Sequence, residues 1–135
     1  MTRTKVEVRL PDCDGMGIVH HAVYPIWYEI GRNDFFEQCG FGYARTRAEG
    51  IDPAMVHLEM DYGAPLTYPG AVVVETRLTL CEGKKLGFSY AIRPEGELYP
   101  CAIAKSLHIW VRDGKSVPLD EALPDMYAAL KARVE

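Results

Sequence analysis

The chain has 135 residues, 48% of them hydrophobic and 25% charged, with a net charge of -4 and a pI near 5.6. That acidic balance excludes a nucleic-acid binder, whose affinity rests on clustered Lys and Arg. No run approaches the roughly 18 apolar residues of a membrane span, and the N-terminal MTRTKVEVRL lacks the apolar core of a signal peptide. A single domain over residues 1–135 that stays in the cytoplasm is expected, small enough for a second copy to add core that one copy lacks.

Thr4 to Leu10 alternates polar and apolar, with Val6, Val8 and Leu10 on one side, which predicts a half-buried strand ending at Pro11. The following PDCDGMG has a turn composition. From about Tyr24 to Gln38 the spacing predicts a helix, with Pro25 in its first turn and Gly40 just past its end. Ile26, Trp27, Tyr28, Ile30, Phe35 and Phe36 cover more of its circumference than a flat neighbour would bury, so something is expected to wrap this helix. Gly31 costs helix stability, which a backbone passing close would explain, and Glu29 and Arg32 are spaced to pair.

After a helical turn at Tyr43 to Glu49, strands are predicted at Met55 to Tyr62, Ala71 to Glu82, Leu86 to Pro94 and Leu98 to Arg112. Pro- and Gly-bearing turns, among them the Asp-Gly of RDGK, make consecutive strands antiparallel neighbours. Ala102, Ala104 and Ser106 form a row of small residues that leaves room for a helix, and Pro124 to Arg133 reads as a short terminal helix. The class is α+β, about five antiparallel strands and one long buried helix.

Cys13, Cys39, Cys81 and Cys101 form neither a C-x-x-C pair nor a zinc pattern with His20, His21, His57 or His108, so reduced thiols and no metal are expected. Chemistry concentrates in DCDGMGIVHHAVY, Asp12 to Tyr24, a carboxylate-bearing loop leading into the N-terminus of the buried helix. Unpaired N–H groups and partial positive charge at such a terminus can hold a developing oxyanion. An Asp-Gly pair in a loop is also simply a turn, and residue types alone leave Asp14 open between the two roles. Asp12 reads better as the cap of a turn.

The segment DCDGMGIVHHAVYPIWYE, with GRNDFFEQCG after it, resembles the 4-hydroxybenzoyl-CoA thioesterase-like branch of the hotdog superfamily, and VHLEMDYGAPLTYPGAVVVETRL and EGKKLGFSY fit its later strands. The resemblance covers nearly the whole chain. It implies a curved sheet around one helix, subunits joining sheets as a homodimer or homotetramer, and active sites at their interface. It also implies an acyl-CoA substrate, coenzyme A being part of the substrate and no separate cofactor required; an acyl carrier protein is the alternative donor of the acyl group. Asp14 would be the catalytic base or nucleophile and His21 would donate its backbone N–H to the thioester oxygen. Tyr24 would line the acyl pocket or the helix start, with core packing the equal alternative, while Lys84 and Lys85 would meet coenzyme A phosphates or form a solvated hairpin tip. Tyr28 and Tyr62 are further aromatic candidates for that pocket. Val23 and Gly87 depart from the Asn and Ser of many relatives.

Three rivals stand beside this reading. A cysteine hydrolase would use Cys13, yet in an extended loop that side chain points away from its Asp neighbours. A hotdog hydratase or dehydratase would need His57 or His108, both explained by strand alternation. A non-catalytic acyl-CoA-binding module would have no need of Asp14.

Overall fold

Turn-forming residues divide the chain close to where the sequence predicts. The computed structural model describes all 135 residues. In chain order they form β1 (Thr2–Val8), a 3-10 turn at Leu10–Asp12, α1 (Val23–Gln38), α2 (Tyr43–Glu49), β2 (Asp52–Tyr62), β3 (Gly70–Glu82), β4 (Lys85–Pro94), β5 (Ala102–Arg112), β6 (Lys115–Ser116), α3 (Leu119–Ala122) and α4 (Pro124–Lys131). All strand pairs are antiparallel, in the order β1-β3-β4-β5-β2, with the two-residue β6 added to β5. The β5–β6 turn places Asp113 and Gly114 at φ 52° and 74°, the double positive φ of a tight hairpin.

The sheet curves around α1, and the side chains show how far. Asp34 of the helix accepts from the Thr4 hydroxyl on β1 (2.5 Å), Tyr28 packs on Tyr90 of β4 (ring centroids 4.8 Å apart), and Phe36 packs on Trp110 of β5 (6.1 Å). Asp34 and Phe36, only two residues apart, thus reach β1 and β5, three steps apart in the sheet, which follows if the sheet curves around the helix. The small Ala102, Ala104 and Ser106 are all buried on β5 beneath it. Trp110, Tyr28, Phe88, Leu78, Leu86 and Ile92 are essentially inaccessible, and the terminal helix adds Met126 and Leu130 to the same core.

Four details differ from the sequence reading. Wrapping is incomplete: Ile26 and Ile30 remain 54% and 39% exposed on the face of α1 turned away from the sheet. Gly31 faces side chains rather than backbone; a Cβ there would lie 2.5 Å from Thr76 Oγ1 and 2.9 Å from Val74 Cγ1. Arg32 makes no ion pair with Glu29, because burial turns it toward Tyr90, whose hydroxyl accepts from Nη1 at 3.0 Å. The last long strand begins at Ala102 instead of Leu98, since Gly96 (φ 86°) and Pro100 keep Leu98 and Tyr99 in an exposed loop. Gly87 also has a local reason: it lies opposite the β3 bulge, where a Cβ would sit 3.0 Å from Leu80 Cβ.

Candidate active site

The chain passes from β1 to α1 through a segment whose backbone is tied at nearly every step. Asp12 is buried and accepts from the Arg9 amide (2.7 Å) and guanidinium (2.8 Å). Burial opposes its ionisation, but those hydrogen bonds and the Arg9 charge outweigh it and hold the carboxyl below its usual range. Asp12 therefore closes a turn and does not project with Asp14.

Beyond it the loop doubles back as a small hairpin. Cys13 bridges Val19, Ile18 bridges Thr67, and the Val19 N–H donates to Leu66 O (2.8 Å), so the loop leans on the segment before β3. Asp14 occupies the tip: its N–H donates to Ile18 O (2.8 Å), its carbonyl accepts from Gly17 (3.0 Å), and its Oδ1 accepts from the Met16 N–H (2.8 Å). That is an Asx-turn, the bland role, and it engages Oδ1 alone; no donor of the chain reaches Oδ2. The side chain is half-buried, with Met16 beside it 77% exposed.

The start of α1 is capped by an imidazole. His20 donates its N–H to Asp12 O (2.8 Å), accepts from Val23 N–H through its carbonyl (3.0 Å), and accepts from Ala22 N–H through Nδ1 (3.0 Å). His21 is exposed, its ring stacked on that of His20 at 4.1 Å, and its own amide donates to no backbone carbonyl. A trans peptide holds its C=O and N–H in opposite directions, so anchoring His20 O on Val23 leaves the His21 N–H aimed away from the helix. The free amide lies at the N-terminus of α1, and Asp14 lies at the tip of the loop that leads into it.

Tyr24 is part of the core, 4% exposed, with burial pushing its phenol up to about 12. Its ring meets the edge of Tyr62 (centroids 5.0 Å, planes at 83°), and Tyr62 Oη donates to His21 O at 2.8 Å. Tyr28 lies one turn further along the helix, its hydroxyl buried with no partner. The link from Tyr62 to His21 and the cap from His20 were missed in the sequence. A tyrosine closing the strand before a Gly-Pro turn was the only signal for the first, and two adjacent histidines for the second.

Lys84 and Lys85 do not join this group within one chain. They occupy the β3–β4 hairpin, with Lys84 Nζ donating to Ser116 (3.1 Å). The loop leans on residues just before β3, so the 13 residues of that strand separate the two places, roughly 40 Å at about 3.3 Å per residue. None of the five principal surface clefts is lined by Asp14 or His21. No group of three or more His, Cys, Asp or Glu side chains converges on a common point that would hold a metal ion.

A family model described as the thioesterase-like superfamily matches residues 8–130. The chain belongs to that superfamily. Among curated relatives, YneP of Bacillus subtilis, named as a candidate acyl-CoA thioesterase, is 32% identical over 130 residues, 96% of this chain and 94% of YneP. The acyl-CoA thioester hydrolase YbgC of Escherichia coli is 28% identical over 90 residues, 67% of each chain. Among solved structures, a DHNA-CoA thioesterase from Staphylococcus aureus superposes with a TM-score of 0.91 at 28% identity, covering 97% of this chain and 89% of that one. The fold is the hotdog fold of thioesterases, and thioester hydrolysis is its reaction class.

Proposed function

We propose that the chain hydrolyses acyl-CoA thioesters to a free carboxylic acid and coenzyme A, with Asp14 as the catalytic carboxylate and the His21 N–H as oxyanion donor. The observation that supports this reading is that one tied loop carries a carboxylate with a free oxygen and leads into a helix start with an unpartnered amide. As a general base, Asp14 takes a proton from water while the water oxygen adds to the thioester carbon. Negative charge then grows on the carbonyl oxygen, where the amide and the helix terminus stabilise it. Collapse expels the coenzyme A thiolate, which recovers the proton. As a nucleophile, Asp14 would add to the same carbon, expel the thiolate and form a mixed anhydride that water then opens.

The acyl-CoA substrate is supported by the names of YneP and YbgC; of the two aromatic residues in contact at the helix start, Tyr62 is exposed and could meet an acyl group, whereas Tyr24 is closed off in the core. A hydratase fits less well. His57 is exposed beside Glu59, and His108 is buried in a hydrogen-bonded chain, so neither meets the loop. An acyl carrier protein in place of coenzyme A would use the same chemistry. No helix is long and apolar enough to cross a membrane, and four unpaired cysteines fit a reducing cytoplasm.

A second copy would join along β2. This edge strand is longer than the other edge, β1, and beside exposed Asp52, His57, Glu59 and Asp61 it exposes the apolar Met55 and Val56, whereas the exposed residues of β1 are Arg3, Lys5 and Glu7. Pairing about a two-fold axis sets the start of one β2 beside the end of the other. The Lys84 and Lys85 hairpin, which shares an end of the sheet with the start of β2, would then approach the other copy's Asp14.

The test is release of coenzyme A thiol from benzoyl-, butyryl- and octanoyl-CoA by the wild type and by Asp14→Asn. The amide keeps the acceptor for Met16 but loses basicity and nucleophilicity, so a fall of about a hundredfold or more is expected with binding retained. Equal rates in the two proteins would overturn the role of Asp14, and binding without release by the wild type would favour a carrier-protein substrate.

A further inference from the structure

His21 is held from both sides, and the two clamps come from different parts of the fold. On one side, the peptide bearing its N–H is fixed through His20 O, which accepts from Val23 (3.0 Å). On the other, its carbonyl accepts from Tyr62 Oη (2.8 Å), a residue 41 positions later at the end of β2. The same peptide also carries the Ala22 N–H, which donates to His20 Nδ1 at 3.0 Å, so within the loop it is held by the neighbouring imidazole, while the His21 side chain is exposed with its ring stacked on that of His20. Without the phenol, that peptide would be held by the His20 ring alone, with no tie to the sheet. An oxyanion donor acts through fixed direction, since it lowers a barrier only where it already points at the developing charge.

The phenol is itself fixed. Its ring stands edge-on against Tyr24, which is buried beside Trp27 in the first turns of α1. Burial raises its pKa, so the hydroxyl stays protonated and keeps its donor at neutral pH. Tyr62 thus reaches from the free edge of the sheet to a peptide at the helix start that is otherwise held only by the adjacent His20 ring.

We infer that Tyr62 is a positioning residue for thioester hydrolysis: its hydroxyl, bound to the His21 carbonyl, aims the His21 N–H at the thioester oxygen. This rests on the proposed role of that amide. It assigns Tyr62 no contact with the reacting atoms. Its loss acts on the transition state more than on substrate binding, so kcat falls while KM holds.

The experiment compares wild type and Tyr62→Phe on whichever of benzoyl-, butyryl- and octanoyl-CoA the wild type hydrolyses fastest. The expected result is about a tenfold lower kcat with KM within about twofold. Unchanged kcat, or a raised KM at constant kcat, overturns the inference, the latter making Tyr62 part of the acyl pocket only. A second readout separates positioning from general loosening. The same acyl-CoA, carrying 13C at the thioester carbonyl, is bound to Asp14→Asn and to Asp14→Asn/Tyr62→Phe. A downfield carbonyl shift in the first that shrinks in the second supports the inference. An equal shift in both overturns it while leaving the His21 donor standing. No shift in either overturns the donor itself, and hydrolysis by Asp14→Asn at the wild-type rate overturns the role of Asp14 alone.

Discussion

Arg32 on α1 donates through Nη1 to the hydroxyl of Tyr90 on β4 at 3.0 Å, both residues buried, with no carboxylate paired to the guanidinium. The contact begins a relay. Tyr90 Oη lies 2.7 Å from Ser106 Oγ, which lies 2.8 Å from His108 Nε2, and His108 Nδ1 meets Pro53 O at 3.3 Å. Because the guanidinium only donates and the Pro53 carbonyl only accepts, every hydroxyl between them passes its proton in the same direction. Four elements of the fold are joined by one polar thread.

Tyr90→Phe tests what that thread contributes. It keeps the ring that packs on Tyr28 and Phe88 but leaves the buried Arg32 N–H without its acceptor and the Ser106 oxygen without its donor, the Ser106 bond to His108 remaining. A loss of about 1–3 kcal/mol in unfolding free energy is expected, the cost of buried groups left without a partner. Urea unfolding at fixed protein concentration reads it as a lower midpoint at unchanged slope. A midpoint within error of the wild type would mean that water replaces the phenol.

His108 makes stability depend on pH. Burial, with the Arg32 charge adding to it, lowers its pKa from 6.5 to about 4, the hydrogen bond to Pro53 O opposing only in part. The unfolded chain therefore binds a proton near pH 6.5 that the folded chain refuses until about pH 4. Stability from this group is complete above pH 6.5 and declines as pH falls toward 4, by at most about 3 kcal/mol. Asp12 and Glu75, whose carboxyls are held low by Arg9 and Arg93 against the cost of burial, add their own loss only further down. Unfolding curves at pH 7 and pH 5 should thus differ in the wild type and much less in His108→Gln. An equal drop in both would place the acid sensitivity elsewhere.

What could be read from the sequence follows from the range of the forces involved. Strand alternation and turn residues are local, so β1, α1 and the antiparallel run appeared close to their true places. The girth of α1 correctly implied a curved sheet, but it overcounted, because Ile26 and Ile30 face away from every strand of the chain. Arg32 was misread for a related reason: helical spacing offered Glu29 as a partner, while only the tertiary fold brings Tyr90 within reach. At the candidate site, the loop motif and its resemblance marked Asp14 and His21. The Tyr62 contact spans 41 residues and rests on the end of β2 meeting the start of α1, which no local pattern encodes.

Lys84 and Lys85 raise a question of which chain they serve. Within one chain the length of β3 lies between them and the Asp14 loop, too far for one coenzyme A to touch both if the sheet stays intact. The proposed pairing along β2 about a two-fold axis would remove that distance by bringing the hairpin of one copy to the loop of the other. The consequence is complementation. Asp14→Asn homodimers lack the carboxylate in both sites, and Lys84→Ala/Lys85→Ala homodimers lack the lysines in both. A mixed dimer contains one site damaged twice and one site fully wild type, because each site draws its carboxylate and its lysines from different copies. Unfolding and refolding the two variants together at equal amounts should recover about a quarter of wild-type kcat/KM at low acyl-CoA, since half the dimers are mixed and half their sites are whole. Raised salt should weaken substrate capture by the wild type far more than by the lysine variant, as charge contacts to phosphate are screened. If both groups served the same chain, mixing would create no whole site, and the activity would stay at the average of the two parents.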